Sequence, residues 1–191
     1  WRLYRRKHIV NHRFDSQAIR ASFRGCKTII RRGAPGEIGV QDEHRDPYST
    51  INATRNPSVI EGAKDVFEAH GAVNRCELVG GDFFTSVPAG GDACIIKHII
   101  HNWDDDRASA ILRNCRRAMA ENGKVLVVEM VIPEGNTPSL GKLLDLEMLV
   151  LLQSFERTEA EYRALFERAG FKLTRTLPTA SPYSLIEGIR V

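Results

Sequence analysis

From residue 57 onward, hydrophobic and polar positions alternate between two periods, one helical and one extended. Ser58 and Glu61 form a capping box ahead of Val59, Ile60, Ala63, Val66 and Phe67, an apolar helical face that ends near Gly71. Strand patterns follow at about 75–79 and 92–97. A helix is predicted after Asp104, with Ala108, Ile111, Leu112, Cys115 and Met119 on its inner face and Asn122-Gly123 as its stop. Asp104, Asp105 and Asp106 suit the positive end of its dipole. Lys124 to Val131 is apolar on both faces, as a central parallel strand is. A further helix is expected over about 138–152. Thr158 and Glu161 then cap another, whose Tyr162, Leu165, Phe166 and Ala169 recur at helical spacing before Gly170. Two strand-like segments, about 171–177 and 184–190, close the chain. The alternation predicts an α/β fold: a doubly wound, mostly parallel sheet with helices on both faces and one antiparallel strand near the C-terminus.

Residues 1–56 do not join this pattern. Thr28-Ile29-Ile30 reads as a first strand, but Arg31 to Asn56 is polar, broken by Gly and Pro, and without either period. Gly33, Gly36 and Gly39 match no phosphate-binding fingerprint and read as a plain loop. Asn52-Ala53-Thr54 fits a glycosylation sequon, which has no weight without a signal peptide. Two parts are therefore expected, an atypical leader over 1–56 and a regular domain over 57–191.

Charge sharpens this division. Residues 1–50 hold 11 Lys+Arg and 5 Asp+Glu, a balance of +6, and the remainder hold 16 and 19, a balance of −3, giving the net +3. A basic arm raises nucleic acid as a partner, but stacking aromatics are sparse there and no recognition motif occurs, so nucleic acid is not favoured. No apolar run approaches the ~20 residues a membrane helix needs. Cys26, Cys76, Cys94 and Cys115 lie far apart without a CxxC pair. With Cys94 in a strand and Cys115 on a helix face, they read as free thiols of a reducing, cytoplasmic protein.

The candidate chemistry lies at strand ends. Asp82 follows Glu77-Leu78-Val79, His101 follows Ala93-Cys94-Ile95-Ile96, Glu129 closes Val125 to Val128, and Glu156 precedes a helix. In open α/β sheets the ligand crevice lies outside the carboxyl ends of the strands. Three carboxylates and a histidine gathered there would suit a cationic ligand and a proton acceptor. Each also has a structural reading: Asp82 as a turn cap, Glu129 as a strand-end ion pair, Glu156 as a helix N-terminal charge, and Lys97 as a snorkelling edge residue. His98 reads as structural. No His/Cys/Asp cluster has metal-ligand spacing along the chain, so no metal is expected.

Gly80-Gly81-Asp82-Phe83-Phe84, Lys97 and His101-Asn102-Trp103-Asp104 carry a resemblance. It continues through Asn114-Cys115-Arg116, Gly123 to Glu129, Pro133-Glu134, Asp145-Leu146, Met148-Leu149, Glu156-Arg157-Thr158, Glu161-Tyr162 and Ala169-Gly170-Phe171. Over about 57–191 the chain resembles the S-adenosylmethionine-dependent O-methyltransferases that include the caffeate and hydroxyindole enzymes and bacterial natural-product methyltransferases. The resemblance implies a Rossmann-like methyltransferase sheet, S-adenosylmethionine as methyl donor and a small-molecule hydroxyl acceptor. It implies His101 as general base, flanked by Glu129 and Glu156. Asp82 would bind the adenine amine, Phe83 would pack on the ring with Lys97 beside it, and Met148 would line the acceptor pocket. Full-length members pair as homodimers through an N-terminal domain, which is expected to be missing here.

Three departures matter, the first two at the donor site and the third beside Glu156. Arg31-Arg32-Gly33-Ala34-Pro35-Gly36 lacks the family's acid and Gly-rich turn, Arg55 stands near the position of the ribose-binding acid ahead of Pro57, and Gln153-Ser154-Phe155 replaces paired glycines. A degraded or frame-shifted start of the catalytic domain over 31–56 would join the first two. Translation of the gene in its other frames tests this hypothesis: an acidic residue, a Gly-rich turn and an aspartate before Pro57 are required in one of them. The alternative function is a non-catalytic or repurposed fragment on the same fold.

Overall fold

The computed structural model describes residues 28–31, 51–55, 68 and 76–191, with side chains at Glu68 and from Val79 onward apart from Leu152. The capping box at Ser58 and Glu61, the helix it opens and Gly33, Gly36 and Gly39 lie outside the described residues, except that Glu68 is helical.

Seven strands form one sheet: β1 (Thr28–Arg31), β2 (Ile51–Arg55), β3 (Cys76–Gly80), β4 (Gly91–Lys97), β5 (Met119–Glu129), β8 (Phe171–Pro178) and β9 (Ser184–Arg190). Their order is β3-β2-β1-β4-β5-β9-β8. β1 to β5 pair in parallel, and β9 runs antiparallel to both β5 and β8. β9 is thus the reversed strand expected near the C-terminus. Two short strands, β6 (Val131–Ile132) and β7 (Arg157–Thr158), form a separate parallel pair. From Gly91 onward the helices are α1 (Asp105–Ala118), α2 (Leu140–Leu152) and α3 (Glu159–Arg168), with a 3-10 turn at Ile100–Asn102.

β5 shows why the sheet holds. Val125 and Val127 pack with Ile111, Leu112, Tyr162 and Phe166 of α1 and α3 on one face, while Leu126 and Val128 join Leu185 on the other. Period-two alternation with both phases apolar demands two covered faces, and each such side chain fully buried is worth about 1.5–3 kcal/mol. Gly188 of β9 lies under Phe166, where a Cβ would come within 2.7 Å of the ring. Among the described residues no helix is long and apolar enough to cross a membrane. Cys94 and Cys115 are buried free thiols, and their mutual hydrogen bond together with burial holds Cys94 well above the usual thiol range.

Both expected helix starts are present. Asp104 Oδ1 accepts the Arg107 N–H at 2.8 Å, and Thr158 with Glu161 closes a reciprocal capping box on α3. Three expectations are corrected. Residues 51–55 were expected to lack an element but form β2, because parallel neighbours on both sides, with Ala53 opposite Ile29 and Leu78, supply the hydrogen bonds that their own pattern does not advertise. α1 ends at Ala118, not at Asn122-Gly123: Met119 is already extended and pairs with Gly91. The strand expected over 124–131 breaks at Met130, so that Val131 can pair with Arg157 in the second sheet.

α2 is unusual among the helices. Leu140, Leu143, Leu146, Leu149, Val150 and Leu151 are all more than half exposed.

Candidate functional site

The carboxyl ends of β4 and β5 lie side by side, with Lys97 opposite Val128. After Lys97 the chain turns sharply through His98, whose φ of 52° is left-handed, and enters the 3-10 turn that carries His101. Glu129 ends β5 beneath this turn. Its Oε1 accepts the backbone N–H groups of Ile99 and Ile100 at 2.8 and 3.0 Å. The carboxylate therefore holds the turn by satisfying donors that a short helix leaves orphaned.

His101 Nδ1 lies 2.7 Å from Glu156 Oε1 and 3.5 Å from Glu129 Oε2. The side chains of Glu129 and Glu156 are 0% and 2% exposed and that of His101 is 14% exposed. Burial alone pushes the imidazole down, but the Glu129 charge and the Glu156 hydrogen bond outweigh it and lift His101 from 6.5 to about 9. Burial likewise pushes Glu129 up to about 7, against the pull of His101. The two glutamates thus favour the protonated imidazole, and the Ile99 and Ile100 N–H groups favour Glu129 in its ionised form.

Glu156 is held in turn by its neighbours. Its N–H donates to Asp145 Oδ1 of α2 at 2.8 Å. The chain reaches it through Gln153, a left-handed C-cap with φ 53°, where glycine would carry no Cβ penalty. Gln153 is thus a strained cap, and Glu156 beyond it is in contact with His101.

The profile of a family described as O-methyltransferase domain matches residues 42–172. The chain belongs to this family. The match opens inside the segment that the sequence sets apart as a leader. Phenazine O-methyltransferase PhzM of Lysobacter antibioticus is 53% identical over 131 residues, covering 69% of this chain and 38% of that protein. The crystal structure of LaPhzM superposes with a TM-score of 0.79 at 45% identity, covering 88% of this chain and 51% of that one. CalO1, a methyltransferase in calicheamicin biosynthesis solved in its SAH-bound form, does so with a TM-score of 0.73 at 33% identity, covering 88% and 50%. The chain thus spans about half the length, or less, of the relatives it matches.

Not all the residues singled out by this O-methyltransferase pattern meet in one cluster. Asp82 follows β3, three strands from β4, so about 14 Å of sheet separates it from the histidine turn at ~4.8 Å per strand. It lies at the same edge but touches neither His101 nor the two glutamates. Its Oδ1 accepts the Phe84 N–H at 2.9 Å and its carbonyl accepts from Thr85 and Ser86. The turn-capping reading of Asp82 therefore describes part of what it does. Phe83 is half-buried and meets Trp103 edge-on at 6.5 Å. Lys97 ends β4, in register with Arg31 of β1. Met148 is half-buried on α2, the helix that packs against the histidine turn.

Two positioning residues were quoted in the sequence only as motif letters. Asn114 of α1 donates to the carbonyls of Phe83 and Phe84 at 2.7 and 2.8 Å, fixing the loop after β3. Arg157 is fully buried and forks onto Asp105 Oδ1 at 3.0 and 2.8 Å, while also reaching the carbonyls of Ile100 and Trp103. Its guanidinium lies 4.3 Å from the Phe155 ring centroid. One side chain thus clamps both ends of the turn that bears His101. Arg157→Ala should lower stability by about 3 kcal/mol, through a cavity and the loss of the bonds that its guanidinium donates to Asp105 and to the Ile100 and Trp103 carbonyls. Urea unfolding measures this, and an unchanged midpoint would refute the clamp.

Proposed function

We propose that this chain is the catalytic portion of an S-adenosylmethionine-dependent O-methyltransferase acting on a hydroxyl of a small aromatic or natural-product acceptor, with His101 as the general base. The observation that carries the reading is the His101 imidazole held against two buried carboxylates, at the sheet edge where such folds bind ligands. The SAH-bound relative and the relative named for phenazine methylation support the donor and the acceptor class.

His101 Nδ1 is engaged by Glu156, which leaves Nε2 to take the acceptor's proton. Glu129 and Glu156 then stabilise the imidazolium so formed. With a ring near 9, deprotonating a phenol of ordinary pKa ~10 is uphill by about 1.4 kcal/mol, against about 5 for an unperturbed histidine. The donor residues fit at the adenine end: the exposed carboxylate of Asp82 can accept from an exocyclic amine, and the neighbouring Phe83 offers a ring face. Lys97 would lie beside the ring and Met148 along the acceptor. Once bound, the donor supplies an electrophilic methyl on a sulfonium, and the protein's task is alignment and proton removal.

A second reading is a repurposed fragment with an impaired donor site. Arg55 ends β2 opposite Gly80, and Arg31 ends β1 opposite Lys97, so cationic residues occupy strand ends beside the expected place of a sulfonium. Calorimetry with S-adenosylmethionine, followed by mass spectrometry after incubation with a panel of phenols, separates the two. Donor binding and products one methylene heavier are expected. Absence of donor binding would overturn the enzyme reading for this chain.

A further inference from the structure

We propose that His98, His101 and Glu129 form a binding site for a divalent transition-metal ion, zinc being the ion their donors suit, and that occupancy disables His101 as a base. The inhibitory part rests on the methyl-transfer reading, whereas the metal site does not.

Both imidazoles address one oxygen. His98 Nδ1 lies 4.0 Å and His101 Nδ1 3.5 Å from Glu129 Oε2, and the three ligand atoms lie within 4.8 Å of one another. Donors around a tetrahedral zinc at ~2.0–2.1 Å stand about 3.4 Å apart, so small side-chain rotations close the set. His98 is brought here by its left-handed backbone, φ 52°, a conformation that costs a non-glycine residue about 1 kcal/mol or more. Its ring stands perpendicular to that of Tyr183, with the centroids 4.3 Å apart.

The state of Glu129 independently points to a ligand. Its Oε1 carries both backbone hydrogen bonds, while Oε2, fully buried and turned toward the two histidines, accepts none. A buried carboxylate oxygen without a hydrogen bond is costly. The 3.5 Å ion pair with His101 relieves that cost only in part, and a metal cation held between the carboxylate and both imidazoles would relieve it further. The Ile99 and Ile100 N–H groups already orient the carboxylate, as outer-shell partners do around metal ligands. Entry is open, because the His98 and His101 side chains are 28% and 14% exposed. Two imidazoles with one carboxylate suit zinc, whereas magnesium and calcium prefer all-oxygen shells.

The consequence for catalysis follows from imidazole chemistry. A metal on Nδ1 of His101 displaces the Nδ1 proton and the contact with Glu156, and leaves the ring's remaining proton on Nε2. That is the nitrogen required to receive the acceptor's proton. Zinc and base function are therefore mutually exclusive.

The test is calorimetric titration of the EDTA-treated, dialysed chain with zinc chloride. One equivalent is expected to bind, and His98→Asn should weaken it by at least ~100-fold, the upper end of the loss caused by removing an outer-shell partner. Asn tolerates positive φ, and circular dichroism verifies the fold. A second variant, Glu129→Gln, removes the anionic donor at constant shape and must weaken binding as well. Methyl transfer by His98→Asn should persist and resist zinc concentrations that silence the parent. Failure to bind one equivalent, or equal zinc affinity in parent and His98→Asn, would overturn the site. If the chain methylates no acceptor, the inhibition falls with the enzyme reading while the calorimetry still decides the metal site.

Discussion

His101→Ala is expected to slow methyl transfer by ~10²–10⁴, the usual worth of a general base, while leaving donor affinity within a few-fold. The two effects separate because of where the groups sit. His101 lies on the turn after β4, whereas Asp82 and Phe83 follow β3, three strands away. The substitution should also leave the turn in place, since Glu129 and Arg157 hold it through backbone atoms of Ile99, Ile100 and Trp103. Single-turnover rates beside donor calorimetry measure the split. Equal loss of rate and donor affinity would make His101 a structural residue.

The second large effect is on pH dependence. The active ring is the neutral one, and its value near 9 means that kcat/KM rises about tenfold per pH unit below that midpoint and levels above it. Glu129→Gln should move this limb to lower pH by more than about one unit, because an opposite charge within hydrogen-bonding reach typically shifts a neighbour by 1–3 units. The direction follows from the competing influences on His101: burial pulls the ring down and the Glu129 charge is the largest influence raising it. Gln keeps an acceptor for the Ile99 and Ile100 N–H groups, so the turn persists. The plateau rate should fall as well, since a weaker base meets a larger gap to the acceptor's hydroxyl. A limb that stays near pH 9 in Glu129→Gln would remove Glu129 from the account.

Much of this arrangement was legible in the chain. Where a strand pattern gives way to a helix start, the intervening residue lands at the carboxyl edge of a parallel sheet. That logic groups Asp82, His101, Glu129 and Glu156 at one edge, and the last three of these meet. Capping chemistry located α1 and α3 because it depends only on residues a few positions apart. β2 was invisible for the opposite reason: Ile51 to Arg55 has too little apolar pattern to announce a strand, and its order comes from pairing on both sides. Contacts between distant elements were equally hidden. Nothing near Arg157 in the chain announces its burial, which depends on Asp105 and two carbonyls from a separate stretch converging on it. Asp82 shares the edge, but β1 and β2 stand between its strand and β4, so its distance from the histidine depends on strand order. His98 looked incidental until its left-handed turn brought it to Glu129.

In the proposed mechanism two buried carboxylates make a strong base of one imidazole. Titration of ¹³C-histidine-labelled protein by NMR, with His101→Gln to assign the resonance, measures that directly. A midpoint near 9 is expected. A midpoint at or below the ordinary 6.5 would mean that burial prevails over both glutamates, and the proposed base would be no better than free histidine.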